Sequence, residues 1–148
     1  MNKKYKIGYT SGVFDLFHVG HLNILKRAKQ QCEYLIVGVS TDQLVVELKG
    51  KFPIIPYEQR VKIIESIKYV DEVVEENNVD KFEAWNKLHY DVLFKGSDAE
   101  LKDSYKEYER KLSKVGGIIV YFPYTREVSS SKIKRAIIEE KTIERKGQ

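Results

Sequence analysis

The sequence has little of the features that would indicate an oxidising compartment or a membrane. With a single cysteine, Cys32, it cannot form an internal disulfide or a cysteine-built zinc site. No apolar run approaches the roughly 20 residues that a membrane-spanning helix needs, and no apolar signal-peptide stretch follows Met1. These absences predict a cytoplasmic chain without membrane insertion.

Neither basic nor acidic residues are concentrated in one part of the chain. The 148 residues include 26 Lys and Arg against 22 Asp and Glu, a net charge of +4, and the two signs are mixed rather than gathered in a basic arm. A mildly basic surface can attract a polyanion, but this distribution predicts no nucleic-acid partner. The hydrophobic content of 42% argues against disorder.

Nothing in the sequence divides the chain into parts. It contains no internal repeat, low-complexity tract or linker, and its length suits one folded unit. We therefore expect a single domain over residues 1–148, with a frayed polar tail at 141–148.

Strand-like runs rich in Val, Ile, Tyr and Phe alternate with helical patterns along the chain. The runs predict strands at residues 5–10, 34–39, 72–74, 91–94 and 118–122. Apolar residues with helical spacing lie between them. This order predicts an α/β fold, a single Rossmann-like doubly wound domain with a mainly parallel five-stranded sheet. Ligands of such a sheet bind beyond the carboxyl ends of the strands.

The segment after the first predicted strand, SGVFDLFHVGH, contains two of the chain's three histidines. Gly12 permits a tight turn, and Gly20 removes a side chain where the next helix begins. His18 and His21 are three residues apart at this helix start, where unpaired N–H groups favour an anion.

The histidine pair is open to three interpretations. Asp15 could join His18 and His21 in a metal site, or the imidazoles could serve packing or capping. The third interpretation is phosphate binding, with His18 and His21 as N–H donors to a phosphoryl group during its transfer. The glycine between the histidines and the position after a strand favour phosphate binding.

The string GVFDLFHVGH resembles the signature of the nucleotidyltransferase superfamily with an H-x-G-H motif. Within that superfamily it is similar to the cytidylyltransferases that make CDP-alcohols. The resemblance covers the chain from Tyr5 to about Ile137 and includes the strings STD at 40–42, YEQR at 57–60 and KYVDEV at 68–73. The compact length resembles the bacterial glycerol-3-phosphate cytidylyltransferases more than the choline-phosphate enzymes, which add membrane-binding segments.

This resemblance implies transfer of CMP from CTP to a small alcohol phosphate, with glycerol 3-phosphate as the first choice and pyrophosphate as the second product. It also implies Mg²⁺ bound mainly through the nucleotide phosphates, without protein ligands, and a homodimer. Transfer from ATP, or to a choline, ethanolamine or sugar phosphate, stays open. So does a non-catalytic nucleotide- or nucleic-acid-binding module that kept the fold.

The resemblance further assigns roles to individual residues. The implied catalytic residues are His18, His21, Lys49, Lys51 and Arg126. Contact with the acceptor is implied for Asp15, Lys49 and Lys81. The implied nucleotide-binding residues are Ser11, Gly12, Val13, Phe14, His18, Gly20, His21, Lys51, Lys95, Gly96, Asp98, Thr125, Arg126, Val128, Ser129, Ser130 and Ser131.

The chain departs from the family pattern in two loops. Ser97 stands where the glycerol-phosphate type has an acidic residue, and the preceding Lys95 and Gly96 also occur at this place in sugar-phosphate adenylyltransferases. In the last loop Tyr124 occupies the place of the family's arginine. Arg126 is then expected to reach the phosphates from two positions along the chain.

Several assigned residues also have a purely structural interpretation. Asp15 can cap the loop or the helix start, and Arg60 and Asp71 can serve the fold or a dimer. Lys49 and Lys51 belong to a basic, flexible patch after the second strand. The serines at 129–131 form an N-cap for an amphipathic helix, which is compatible with holding a triphosphate at the same helix start.

Overall fold

The computed structural model describes residues 3–123 and 129–147, with the side chains of the last helix described as far as Glu139. The five strands are β1 (Tyr5–Gly12), β2 (Cys32–Ser40), β3 (Glu72–Glu76), β4 (Val92–Gly96) and β5 (Ile118–Phe122). They form one parallel sheet in the order β3-β2-β1-β4-β5. The predicted α/β fold with a parallel five-stranded sheet is confirmed.

Six α-helices lie in the described part of the chain. They are α1 (Val19–Gln31), α2 (Asp42–Lys49), α3 (Tyr57–Glu65), α4 (Lys81–Leu88), α5 (Asp103–Ser113) and α6 (Ser130–Gly147), with a 3₁₀ turn at Ser97–Ala99. None of the helices described here is long and apolar enough to cross a membrane. Fraying of the tail at 141–148 stays a prediction.

Helices cover both faces of the sheet, so its central strands carry apolar residues on both sides. On the side of α1 and α3 the core contains Phe14, Leu25, Ala28, Cys32, Leu35, Val37, Val39, Ile64, Val92, Phe94 and Phe122. On the side of α4 and α5 it contains Tyr9, Ile36, Tyr90, Leu93, Ala99, Tyr105 and Leu112. Strand order reverses between β1 and β4, so a crevice opens where their carboxyl ends diverge.

Helix α2 was missing from the sequence-based prediction. Its signals are present in the sequence, because the Thr41 hydroxyl accepts a hydrogen bond from Leu44 N at 3.1 Å and Gly50 ends the helix with a φ of 73°. The basic patch is therefore divided. Lys49 is the last residue of a helix, and Lys51 follows the left-handed glycine.

Candidate active site

A cavity of about 670 Å³ lies at the carboxyl edge of the sheet, between the ends of β1 and β4. A second cavity of about 290 Å³ adjoins it. The two share the lining residues His21, Ile24, Lys95, Gly96 and Ser130. The crevice predicted from strand order therefore contains two connected spaces.

Most of the residues assigned from the sequence meet here. The larger cavity is lined by Ser11, Gly12, Val13, Phe14, Asp15, His21, Lys49, Lys51, Lys95, Gly96, Ser130 and Ser131. The smaller one adds His18, Gly20, Asp98 and Ser129. Thr125, Arg126 and Val128, which the sequence also assigned, lie outside the described residues.

The two histidines start helix α1 and contact each other. His18 is the N-cap, with its Nδ1 accepting a hydrogen bond from Gly20 N at 3.0 Å, and the Nδ1 of His21 accepts one from His18 N at 3.2 Å. Their rings stack with centroids 3.8 Å apart. Because each Nδ1 is an acceptor, each neutral ring carries its proton on Nε2. The capping and phosphate-binding interpretations are thus compatible, since capping uses one nitrogen and leaves the other as a donor.

His21 is held between two aromatic rings. Phe17 stacks on it with centroids 5.3 Å apart, and Phe14 meets it edge-on at 5.5 Å. Burial first, and then the neighbouring His18, lower the pKa of His21 to about 4, although Asp15 opposes the shift. Burial also lowers the pKa of His18. Both imidazoles are therefore neutral near pH 7 and can donate through Nε2–H, which is compatible with the phosphate-binding interpretation.

These lowered pKa values predict how stability depends on pH. Between the folded pKa of His21, about 4, and its ordinary value of 6.5, the unfolded chain binds a proton that the folded chain does not. The free energy of unfolding should therefore keep its full value, as far as His21 affects it, above pH 6.5 and fall as the pH is lowered from 6.5 towards 4. Denaturant titrations across the window check this. A free energy of unfolding that stays constant, or rises towards acid, would contradict it.

Asp15 organises the loop beside the histidines. Its carboxylate accepts hydrogen bonds from the backbone N–H groups of Ile54 and Ile55, each at 2.9 Å, and pairs with Lys134 Nζ at 3.4 Å. Burial raises the pKa of Asp15, but the two backbone donors and Lys134 together lower it below its ordinary value. The carboxylate is thus ionised and its oxygens are already occupied, which supports the structural interpretation. Its predicted contact with the acceptor stays a prediction.

Arg60 is fully buried and joins four segments around the site. Its guanidinium donates to the carbonyl oxygens of Ile55, Val13 and Ser40, each at 2.8 Å, and to Asp42 Oδ1 at 2.6 Å. These bonds connect the ends of β1 and β2, the start of α2 and the loop before α3. Of the two interpretations open for Arg60, these contacts support a role in the fold.

Asp71, for which the fold and a dimer were also open, directly precedes β3 and contacts β2. Its Oδ2 accepts a hydrogen bond from Leu35 N at 2.7 Å and pairs with Lys29 Nζ at 2.6 Å. This carboxylate therefore also serves the fold, because it joins β2 to helix α1.

Lys81 lies beneath the cavity rather than on its surface. Its ammonium donates to Ser11 Oγ at 2.9 Å and pairs with Glu76 Oε2 at 2.6 Å, while Ser40 Oγ donates to Glu76 Oε1 at 2.9 Å. All four side chains are buried. The predicted contact of Lys81 with the acceptor has no support in this geometry. Instead, Lys81 fixes the side chain of Ser11 at the end of β1 through a hydrogen bond.

Among the described residues, the wall of the larger cavity is cationic and lies next to the N-terminal ends of two helices. Lys49, Lys51, Lys95 and Lys134 contribute ammonium groups, and helix α6 points its N-terminus at the same space as α1. Ser129 caps α6 by accepting from Lys132 N at 3.0 Å, which bears out the predicted serine cap. Such a wall can bind several phosphate groups and stabilise charge that moves among them.

Sequence reasoning missed some lining residues. Lys134 follows Ser130 by one helical turn, so the helical period alone could have placed it on the cavity side. The other residues it missed are Thr10, Ile24, Val45, Phe52, Pro53 and Pro123. These are apolar or small and carry no chemical signature.

A parallel doubly wound sheet, with an H-x-G-H segment and a cationic crevice at the point where strand order reverses, defines the nucleotidyltransferase class of enzyme. The chain belongs to the cytidylyltransferase-like family, whose model matches residues 9–136.

Individual relatives agree with this assignment. A glycerol-3-phosphate cytidylyltransferase of Bacillus subtilis is 38% identical over 128 residues, which is 86% of this chain and 94% of the relative. An FAD synthase of Thermococcus sibiricus is 37% identical over 144 residues, covering 94% and 97%. Among solved structures, a lipopolysaccharide core biosynthesis protein of Thermoplasma volcanium has a TM-score of 0.67 at 26% identity and covers 82% of this chain and 97% of that one.

Proposed function

We propose that the protein transfers CMP from CTP to a small alcohol phosphate, with glycerol 3-phosphate as the first choice. The observation that carries the proposal is the fixed histidine pair, whose capping bonds use Nδ1 and leave Nε2–H as a donor, with His21 lining both cavities and His18 the smaller one. The relative of Bacillus subtilis, named for this reaction and matched over nearly its whole length, supports the choice of substrates.

The proposed reaction is a direct displacement. An oxygen of the acceptor phosphate forms a bond to the α-phosphorus of CTP, while the bond from that phosphorus to the bridging oxygen of pyrophosphate breaks and pyrophosphate leaves with the electron pair. His18 and His21 donate hydrogen bonds to the oxygens on which charge develops. The protein forms no covalent intermediate and acts by positioning and charge stabilisation.

The two cavities suggest how the substrates divide. In the proposal the base and ribose occupy the smaller cavity beside Gly20 and Asp98, and the phosphates and the acceptor occupy the larger one. Lys49 holds the acceptor phosphate and Lys51 the nucleotide phosphates, with Arg126 reaching the same phosphates. These roles follow the family resemblance, and a mobile ammonium suits charge that shifts during reaction.

Several further features belong to the same proposal. Mg²⁺ bound mainly through the nucleotide phosphates would neutralise part of their charge, and no protein ligand is assigned to it. We also propose one catalytic domain, a cytoplasmic location and, on the strength of the resemblance, a homodimer.

A substrate panel tests the proposal directly. Pyrophosphate release is measured with CTP or ATP against glycerol 3-phosphate, choline phosphate, ethanolamine phosphate and a sugar phosphate. We expect the highest kcat/KM for CTP with glycerol 3-phosphate. Release with CTP and a different alcohol phosphate would correct the acceptor, and release with ATP alone would overturn cytidylyl transfer.

Adenylyl transfer to flavin mononucleotide is the second candidate. The relative named FAD synthase covers as much of this chain as any reported above, and a cavity of about 670 Å³ has room for an acceptor larger than glycerol 3-phosphate. The panel therefore includes ATP with flavin mononucleotide, read by the appearance of FAD. FAD formation with a kcat/KM above that of every CTP pair would favour this candidate.

A further inference from the structure

The inference concerns Lys95, the residue before the glycine that ends β4. Lys95 lines both cavities, in company with His21 and Ser130. Its side chain is half-buried, and its ammonium makes no hydrogen bond and no ion pair with any residue of the described ranges. The ammonium therefore lies where the two cavities meet without a fixed protein partner, and an anion bound there can pair with it.

The nearby carboxylates do not serve as that partner. Glu76 already pairs with Lys81 and accepts from Ser40, and Asp98 lies exposed on the 3₁₀ turn. The groups that act on Lys95 electrostatically are Lys81, Glu76, Asp98 and Lys102, and the neutral His21 shares its cavity wall. Burial first, and then Lys81, lower the pKa of Lys95. A bound anion would supply the missing partner.

The proposed division of the substrates between the two cavities identifies the anion that binds Lys95. The inference therefore rests on the proposed function. In a nucleoside triphosphate the α-phosphate joins the ribose to the remaining phosphates. If the nucleoside occupies the smaller cavity and the outer phosphates the larger one, the α-phosphate lies where the cavities meet. Lys95 and His21 line that junction.

We propose that Lys95 is a catalytic residue that binds the α-phosphate of the nucleotide, the group that is transferred. Its ammonium donates hydrogen bonds to a non-bridging oxygen of that phosphate while the acceptor oxygen bonds to phosphorus and pyrophosphate departs with its electron pair. No proton changes place. Lys95 therefore acts on the reacting group and not on the base or ribose.

A ligand series tests this assignment by binding alone. The affinities of cytidine, CMP and CTP are measured by calorimetry for the wild type, Lys95→Met and Lys102→Met. Lys102→Met is the matched control, because Lys102 is a nearby exposed lysine that lines neither cavity. We expect Lys95→Met to weaken CMP and CTP by the same factor, roughly 10- to 100-fold, and to leave cytidine unchanged. Lys102→Met should leave all three unchanged.

Each other outcome overturns the assignment. Equal weakening of cytidine binding would place Lys95 on the base or ribose. Weaker binding of CTP alone would place it on the outer phosphates. Three unchanged affinities would show that Lys95 has no role in phosphate binding. If the wild type prefers adenine, adenosine, AMP and ATP replace the series. The series is read without turnover, so a wild type that binds nucleotides and releases no pyrophosphate with any acceptor would contradict the proposed function alone.

The wild type provides a second measurement that does not depend on the folding of a variant. Because the pKa of Lys95 is lowered, its ammonium loses its proton earlier than an ordinary lysine as the pH rises. The affinity for CMP should therefore fall with rising alkaline pH while that for cytidine stays constant, and Lys95→Arg should abolish the fall. A CMP affinity that parallels that of cytidine across this range would overturn the proposal.

Discussion

Replacing His18 by alanine is expected to lower turnover by about two to three powers of ten, because one donor to the developing phosphate charge is lost. The same change removes the N-cap of α1, which contributes about 1 kcal/mol to stability. The fold should survive this loss, and steady-state pyrophosphate release, with far-ultraviolet circular dichroism as a folding check, measures the result.

His18→Ser separates the two contributions of the imidazole. A serine hydroxyl can accept the hydrogen bond from Gly20 N and so keep the cap, but it does not extend to where the imidazole Nε2 lies. We expect this variant to unfold close to the wild-type temperature and to turn over as slowly as His18→Ala. Near-normal turnover in either variant would remove His18 from the catalytic residues.

Replacing Arg60 by alanine is expected to lower the free energy of unfolding by about 3–5 kcal/mol, the cost of breaking a buried charged network from one side. Three carbonyl oxygens and the carboxylate of Asp42 would lose their donor together. Chemical denaturation at neutral pH measures the loss. Activity should fall with it, because Val13 and Ile55 belong to segments that surround the cavity.

Arg110→Ala is the matched control for this prediction. Arg110 is exposed and pairs with Glu107 on the surface of helix α5, so its removal should change the free energy of unfolding by less than about 1 kcal/mol. Similar losses of the free energy of unfolding in the two variants would show that the buried network around Arg60 stabilises the fold no more than a surface ion pair.

The sequence was most informative where a pattern is local. The alternation of strands and helices, the helix start at the histidines and the serine cap at 129–131 each depend on residues close together in the chain. For the same reason the H-x-G-H segment could be interpreted as phosphate-binding from its sequence. Helix α2 was missed although Thr41 and Gly50 mark its ends, because the consecutive apolar residues Leu44, Val45 and Val46 blur its helical period.

Contacts between distant residues could not be predicted in the same way. Lys81 contacts Ser11 across 70 residues of sequence, and the Arg60 guanidinium meets Val13 across 47. Which cation turns inward to a carboxylate and which faces a ligand depends on the packing of several elements at once. Family similarity placed Lys81 with the acceptor, whereas the fold pairs it with Glu76.

The capping bonds of His18 and His21 have a consequence for the thermodynamics of catalysis. Because backbone N–H groups donate to each Nδ1, neither ring can rotate or exchange its tautomer without breaking a capping hydrogen bond at the start of α1. The conformational entropy of these donors is therefore lost when the chain folds, not when the substrates bind. A phosphate that enters the crevice meets dipoles that are already oriented, so the reorganisation that water would require is completed in advance.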